Sequence, residues 1–476
     1  MIPEKFLIKN EWTGSEEILS VHNPYTGELV KMTYRSSHEQ INESLEYLSE
    51  VYKKYRILPA YKKSEILTNV SCSIKENREQ LAQLITLETG KPIKFSRIEV
   101  DRAVLTFTLG SEEAKRIEGE VLDLALLPGS ENKMGIIKRF PIGVIFGITP
   151  WNFPINLVAH KLAPALASGN VVLLKPASSS PCCAIELTKI IQRCCHDAGL
   201  DYTPLNIVTP AGKDLDKFIC DDRVAMVSFT GSPEVGWGIR KKVNRQKVSL
   251  ELGNNSAVIV DSTADINIAV NKIITAGFGS AGQSCISVQR VYIHKDVYES
   301  FEKHLLEETN KIKTGDPFDE DTLTASMIDE GEAKRIEEWI NEAAGSGAVV
   351  LSGGTRNNAV LQPTIISKAS ESMNVNKKEV FAPLITIKKI NDLDEGLALA
   401  NDTEYGLQAG VFTNDMKNAF KAFEVLEMGG VIINDVSTYR MDSMPYGGVK
   451  LSGNAREGIK YAIEEMTERK IMVVSG

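Results

Sequence analysis

The feature that most constrains this chain is an alternation of short apolar runs with helix-patterned stretches. Gly143-Val-Ile-Phe-Gly147, Val171-Val-Leu-Leu174, Leu205-Asn-Ile-Val208 and Met226-Val-Ser-Phe229 are four such runs. Ala184 to His196, between two of them, has the interleaved charged and apolar spacing of a helix. A strand that is apolar on both faces needs cover on both. Strands alternating with helices supply it as βαβ units around a parallel sheet. A second alternation starts near Glu251. Ala257-Val-Ile-Val260 reads as a strand, Asp265 as the N-cap of a helix to about Phe278, and Val291 to Ile293 as another strand.

The flanks read differently. From Ser37 to about Glu118, Leu, Ile and Tyr recur at spacings of three and four among charges, which predicts helices punctuated at Thr89-Gly90-Lys91-Pro92. Leu122 to Lys138 reads as a β-hairpin with Pro128-Gly129 near its turn, and Lys470 to Val474 as a further strand. Two extended pieces so far apart pair with each other or with another subunit.

Composition narrows the function classes. The 476 residues hold two or three domain-sized units, with 43% apolar and 25% charged residues, the usage of a globular protein. A formal charge of −9 with no basic tract argues against nucleic-acid or anionic-membrane partners. The uncharged run Phe140 to His160 carries Pro141, Pro150, Pro154, Asn152 and Asn156, so it reads as buried strand and turn rather than a membrane span. The start Met1-Ile2-Pro3-Glu4-Lys5 has no signal-peptide pattern, and seven cysteines without a CxxC pair suggest reduced thiols. A cytoplasmic protein is the expectation. Cys182-Cys183 and Cys194-Cys195 point about 100° apart on a helix, converge poorly on a metal, and read as small core residues; no metal site is expected.

Five segments bear chemistry. Cys285 follows the Gly-rich stretch Phe278-Gly-Ser-Ala-Gly-Gln-Ser. A helix N-terminus after such a loop would lower its thiol pKa and offer N–H donors to an oxyanion; the alternative is a buried structural cysteine. Glu251, between two leucines and before Gly253, is placed for a raised pKa that suits a general base; the alternative is a strand-end carboxylate. Phe229-Thr-Gly-Ser-Pro-Glu-Val-Gly236 is a Gly-rich strand-to-helix turn of phosphate-binding type, without an intact G-x-G-x-x-G fingerprint. Pro150-Trp-Asn-Phe-Pro154 holds Asn152 as a fixed amide donor or simply a rigid core turn. Lys175 ends an apolar strand, at the ligand edge of a parallel sheet, or as a solvated strand-end lysine.

In this order the motifs resemble the NAD(P)-dependent aldehyde dehydrogenase superfamily. Asn23-Pro-Tyr-Thr-Gly27, Glu88-Thr-Gly-Lys91, Lys161-Leu-Ala-Pro-Ala-Leu-Ala-Ser-Gly-Asn170, Lys175-Pro-Ala-Ser178, Glu379-Val-Phe-Ala-Pro383, Tyr405-Gly-Leu407 and Pro445-Tyr-Gly-Gly448 extend the match over nearly the whole chain. The resemblance implies an α/β fold: a Rossmann-like cofactor domain (1–118 and 139–250), an α/β catalytic domain (251–440) and a β-hairpin oligomerisation arm (119–138 and 441–476). It implies a homodimer or homotetramer whose arm extends a neighbour's sheet. It also implies NAD or NADP as cofactor and a small-molecule aldehyde as substrate.

The resemblance assigns roles as well. Cys285 would attack the aldehyde, with Asn152 and the Cys285 N–H as oxyanion hole, and Glu251 would activate the water that hydrolyses the thioester. Lys161 and Glu457 match positions thought to support proton traffic. Thr149, Pro150, Trp151, Lys175, Ser178, Phe229, Gly231, Ser232, Gly253, Glu379 and Phe381 match cofactor-binding positions: Lys175 for the adenosine ribose, Ser232 for the pyrophosphate, Glu379 for the nicotinamide ribose.

Three departures stand out. The usual Glu-Leu-Gly-Gly-Lys is Glu251-Leu-Gly-Asn254-Asn255, which keeps the turn if the asparagines take left-handed geometry and otherwise misplaces the base. Ala382 replaces a Gly. Ser178 stands where many NAD-preferring members carry a Glu that would repel a 2′-phosphate, so NADP is expected to be tolerated or preferred.

Asn434 to Pro445 resembles a subgroup that includes lactaldehyde, non-phosphorylating glyceraldehyde-3-phosphate and phosphonoacetaldehyde dehydrogenases. Arg102 and Arg440 would then clamp an anionic substrate; the alternative is surface or salt-bridged arginines. Ser284 before the nucleophile counts against the phosphorylated substrate, and a lactaldehyde-like substrate is the expectation. The competing readings are a coenzyme-A-acylating enzyme, a phosphorylated- or semialdehyde-specific dehydrogenase, and a non-catalytic member of the family.

Overall fold

The computed structural model describes residues 2–212 and 215–476. The four apolar runs are neighbours in one five-stranded sheet, in the order Lys247–Glu251, Val224–Thr230, Val144–Ile148, Val171–Lys175, Leu205–Ile207, and every pairing is parallel. All five residues of Val144–Ile148 and of Val171–Lys175 are buried, as two-sided cover requires. In register, Thr230 lies opposite Glu251 and Ile148 opposite Lys175. The strands' carboxyl ends therefore bring two of the chemistry-bearing residues to one edge.

The second alternation builds a seven-stranded sheet. Its order is Val349–Ser352, Thr364–Ser367, Leu384–Ile390, Arg290–His294, Ala257–Val260, Gln408–Phe412, Gly430–Ile433, parallel except at its first strand. Helix Ile266–Phe278 begins as expected, with Asp265 accepting the Ile268 N–H at 3.1 Å.

The N-terminal region folds as four helices, His38–Tyr55, Ala60–Glu76, Arg78–Thr89 and Ile93–Glu113. Gly90 ends the third in left-handed geometry (φ +69°), where a Cβ would sit 2.2 Å from Ser326 Oγ. Glu120–Asp123 and Lys133–Pro141 form the hairpin, and Thr467–Ser475 pairs along Lys133–Pro141 over nine residues. The two extended pieces thus pair with each other within one chain. Helix Ile459–Glu465, just before the tail strand, packs instead on helices Ile93–Glu113 and Asn156–Ser168. Among the described residues no helix is long and apolar enough to cross a membrane; the run Phe140 to His160 supplies strand Val144–Ile148 and the start of helix Asn156–Ser168.

Candidate active site

A cavity of about 1330 Å³ is lined by residues from both sheets, among them Trp151, Asn152, Ser232, Glu251, Cys285 and Glu379. The loop that delivers Cys285 is tightly constrained. Ser280 and Ala281 take left-handed φ values of 52° and 54°, followed by Gly282 at 66°, where a Cβ would lie 2.2 Å from the Ala382 carbonyl oxygen. Two non-glycine residues in that region cost free energy, which the surrounding packing must offset. Gln283 anchors the loop by accepting the Ile328 N–H at 2.8 Å.

The thiol environment differs from the sequence expectation. No helix starts at Cys285, because the chain runs through a turn into strand Arg290–His294. Without a helix N-terminus, burial dominates and pushes the Cys285 thiol up to about 12. Sγ lies 3.0 Å from Tyr446 Oη.

Glu251 is the last residue of its strand and is buried, and neither carboxylate oxygen has a hydrogen-bond partner. Burial, reinforced by the Glu457 charge, raises its pKa well above the carboxylate range against the pull of Arg440 and Lys161. The turn after it survives by a route other than the one expected. Neither Asn254 nor Asn255 has a positive φ. Side-chain bonds pin them instead: Asn254 Nδ2 donates to Ser256 Oγ (2.7 Å) and Asn255 Nδ2 to the Asn376 carbonyl (2.9 Å). Asn152 Nδ2 donates to the Gln283 carbonyl beside Cys285 (3.0 Å), and its Oδ1 is buried without a partner.

Behind Glu251 lies a buried charge cluster. Lys161 Nζ donates to Ser228 Oγ (3.1 Å) and sits 3.9 Å from Glu457. Glu457 is 2.7 Å from Arg440 Nη2, which also meets His160 Nε2 at 3.2 Å. Asp442 bridges His160 (2.8 Å) and Arg102 (2.6 Å). Burial alone would raise both carboxyls. Their cationic and hydrogen-bonding neighbours win, drawing Glu457 down to about 2 and Asp442 far below the carboxylate range. Arg102 and Arg440 are thus brought into one network, outside the residues that line the main cavity. Tyr446, which the sequence offers only within the motif Pro445-Tyr-Gly-Gly448 and without a role, joins that network to Cys285.

The other end of the cavity gathers residues expected to hold the cofactor, around a helix N-terminus. Ser232 caps helix Pro233–Lys242, whose N-terminus opens into the cavity. Thr149 Oγ1 and Thr230 Oγ1 are buried with no partner, and a Cβ on Gly231 would strike the Phe229 ring at 2.5 Å. Pro150 and Trp151 line the cavity, Trp151 edge-on to Phe381 with centroids 5.7 Å apart. Glu379 accepts the Asn254 N–H (2.9 Å), and a Cβ on Gly253 would meet its Oε2 at 2.2 Å. Burial raises Glu379 to about 7. Thr149, Lys175, Ser178 and Phe229 lie at the strand ends rather than on the cavity lining. Burial, then the Arg35 charge, lowers Lys175 to about 8. Trp237 and Leu451 also line the cavity, joined by a 3.2 Å bond from the indole N–H to the Leu451 carbonyl. Trp237 lies four residues beyond Pro233, on the same helix face, a spacing that the sequence reading did not use.

Known proteins share this architecture. A 3-sulfolactaldehyde dehydrogenase of Priestia aryabhattai is 43% identical over 98% of this chain and 97% of its own. A lactaldehyde dehydrogenase of Methanococcus aeolicus is 39% identical over 98% of this chain and 99% of its own. The crystal structure of aldehyde dehydrogenase 21 from Physcomitrella patens, in complex with the reaction product succinate, superimposes with a TM-score of 0.97 at 38% identity, over 100% of this chain and 99% of that one. Solved structures of the same fold hold NADP in some cases and NAD+ in others. The profile of the aldehyde dehydrogenase family matches residues 12–472. A thiol, a buried carboxyl and a helix N-terminus around one cavity thus accompany similarity over nearly the full length, and the chain belongs to the aldehyde dehydrogenase family, as an NAD(P)-dependent oxidoreductase that takes an aldehyde to its acid.

Proposed function

We propose that Cys285 is the nucleophile and Glu251 the general base, acting on a small aldehyde that carries an anionic group. The observation that carries the mechanism is that a constrained thiol and an unpartnered buried carboxyl face one cavity. Cys285 Sγ adds to the aldehyde carbon. The carbonyl oxygen takes the charge, and the Asn152 amide, adjacent to the thiol loop, turns its N–H to that oxygen. The bound nicotinamide supplies the hydride acceptor. Thr149, Trp151, Gly231, Ser232, Gly253, Glu379 and Phe381 hold the cofactor, with Lys175 and Ser178 at its adenosine end. In its ionised form Glu251 deprotonates the water that cleaves the Cys285 thioester, with Lys161 and Glu457 behind it.

The guanidinium groups of Arg102 and Arg440, held by Asp442 and Glu457, support an anionic substrate. The relatives' sulfonated aldehyde and succinate product fit that sign. The absence of a carboxylate at Ser178 supports NADP as an accepted cofactor. The exposed apolar residues of the tail strand, Ile471 to Val474, support a homo-oligomer with the hairpin and tail as its arm.

A panel of aldehydes with each cofactor tests this reading. Cys285→Ala is expected to abolish turnover. Arg440→Ala is expected to lower kcat/KM for an anionic aldehyde about tenfold or more, as loss of a charged hydrogen bond does, and far less for propanal. Equal losses on both would remove Arg440 from the substrate site. A preference for NAD of about a hundredfold, ~2.7 kcal/mol of transition-state discrimination, would overturn the NADP assignment.

A further inference from the structure

We infer that Tyr446 is a further catalytic residue, which stabilises the attacking thiolate by donating its phenolic O–H to Cys285 Sγ. The inference rests on Cys285 being the nucleophile. Four observations carry it. Oη lies 3.0 Å from Sγ, with Tyr446 buried and Cys285 half-buried on the cavity wall. The ring alone would satisfy packing: Tyr446 clusters with Ile286 and Leu407, and a phenylalanine would fill the same space. Arg440 covers the ring with Cζ 3.8 Å from its centroid, and Glu457 fixes that guanidinium at 2.7 Å. A cation held over a phenol draws electron density from the ring and makes the O–H a stronger donor. Finally, no helix N-terminus reaches the sulfur, so the device many reactive cysteines use is missing here.

The step balances simply. The S–H bond breaks and its proton leaves to water in the cavity. Tyr446 keeps its own proton and, because a thiolate can only accept, turns it to the sulfur. The sulfur electron pair then forms the bond to the aldehyde carbon, the charge moves to the carbonyl oxygen, and the hydrogen bond from Tyr446 weakens. Arg440, Glu251 and Glu379 also bear on the thiol through their charges. Arg440 acts with Tyr446 to favour the thiolate, whereas ionised Glu251 or Glu379 disfavours it.

The test is alkylation of Cys285 by iodoacetamide, a neutral probe, followed against pH in the full-length enzyme without substrate or cofactor. Tyr446→Phe is expected to move the titration midpoint of alkylation up by about one pKa unit, with about tenfold less thiolate at neutral pH. Its kcat/KM should fall about tenfold at neutral pH and recover as pH rises. Tyr446→His, which keeps an N–H donor, should restore part of the shift. A midpoint unchanged in Tyr446→Phe while turnover falls would make Tyr446 a packing residue and overturn the proposal. Should Cys285→Ala retain turnover, the nucleophile assignment fails instead, and alkylation of the wild-type thiol still reads the Tyr446 effect separately.

Discussion

At the scale of single residues, the groups that line the cavity are governed by burial, whereas partner charges govern the carboxylates behind it. Glu379, Glu251 and Cys285 are each driven toward their neutral forms because solvent is excluded, and the opposing hydrogen bonds are too few to reverse it. Glu379 gives a pH prediction. Its carboxyl sits at about 7, raised from the ordinary range, so it is protonated below neutrality and ionised above. Only the ionised form accepts hydrogen bonds from two ribose hydroxyls. Kd for NADP is therefore expected to fall about tenfold between pH 6 and pH 8. Glu379→Gln should flatten that dependence. Fluorescence titration of the cofactor against pH measures both, and a wild-type Kd constant across the range would refute the ribose contact. The residues with local signatures, Cys285 after its Gly-rich stretch and Glu251 before Gly253, were legible in the sequence. Tyr446, Trp237 and the Asp442 bridge were not, since each acquires its chemistry from partners more than 150 residues away.

Elements hold that site through carboxylates at helix starts. Glu99, in helix Ile93–Glu113, accepts the Ile155 and Asn156 N–H groups at 2.9 and 3.2 Å and so anchors the N-terminus of helix Asn156–Ser168. Its other oxygen pairs with buried Lys91, whose Nζ lies 3.9 Å from the Phe153 ring. The segment fixed in this way carries Asn152, His160 and Lys161. Glu99→Gln leaves Lys91 buried without its charge partner, at an expected cost of ~3 kcal/mol, read as a lower urea midpoint. The double variant Lys91→Met/Glu99→Gln should be less destabilised than Glu99→Gln alone; equal destabilisation would show that helix capping and not the buried charge dominates. Glu88 does the same for helix Cys182–Asp197, accepting the Cys182 and Cys183 N–H groups at 2.7 and 2.9 Å. This places the paired cysteines in the core beside a capping carboxylate. Helices and strands themselves were readable, as at Asp265, because capping and periodicity are local. What anchors their ends was not, because the anchoring carboxylates come from other helices.

For the whole molecule, the unresolved quantity of apolar surface lies on the arm. In Thr467–Ser475, Ile471, Met472, Val473 and Val474 are all between 41% and 56% exposed, so neither face of that edge strand is covered within one chain. Met416, Phe420 and Phe423 of helix Met416–Val425 are exposed as well. Such surface is what the proposed contact between subunits would cover. Sedimentation is expected to give two or four times the monomer mass, and Val473→Asp with Met472→Asp to shift it toward the monomer. A wild-type monomer at micromolar concentration would refute the arm's role.

The sequence by itself determined the two largely parallel sheets, the helical N-terminal region, the hairpin and the residues that we propose as nucleophile and base. Those follow from apolar periodicity, turn residues and short motifs, all of which act within a few turns of chain. Only the tertiary structure decided the state of those groups. It buried Glu251 without a partner, set Tyr446 against the sulfur, gathered Arg102, Arg440, Asp442 and His160 into one network, and joined the tail to the hairpin. Protonation state and charge pairing depend on solvent exclusion and on neighbours distant in sequence, and neither exists until the two sheets have packed together.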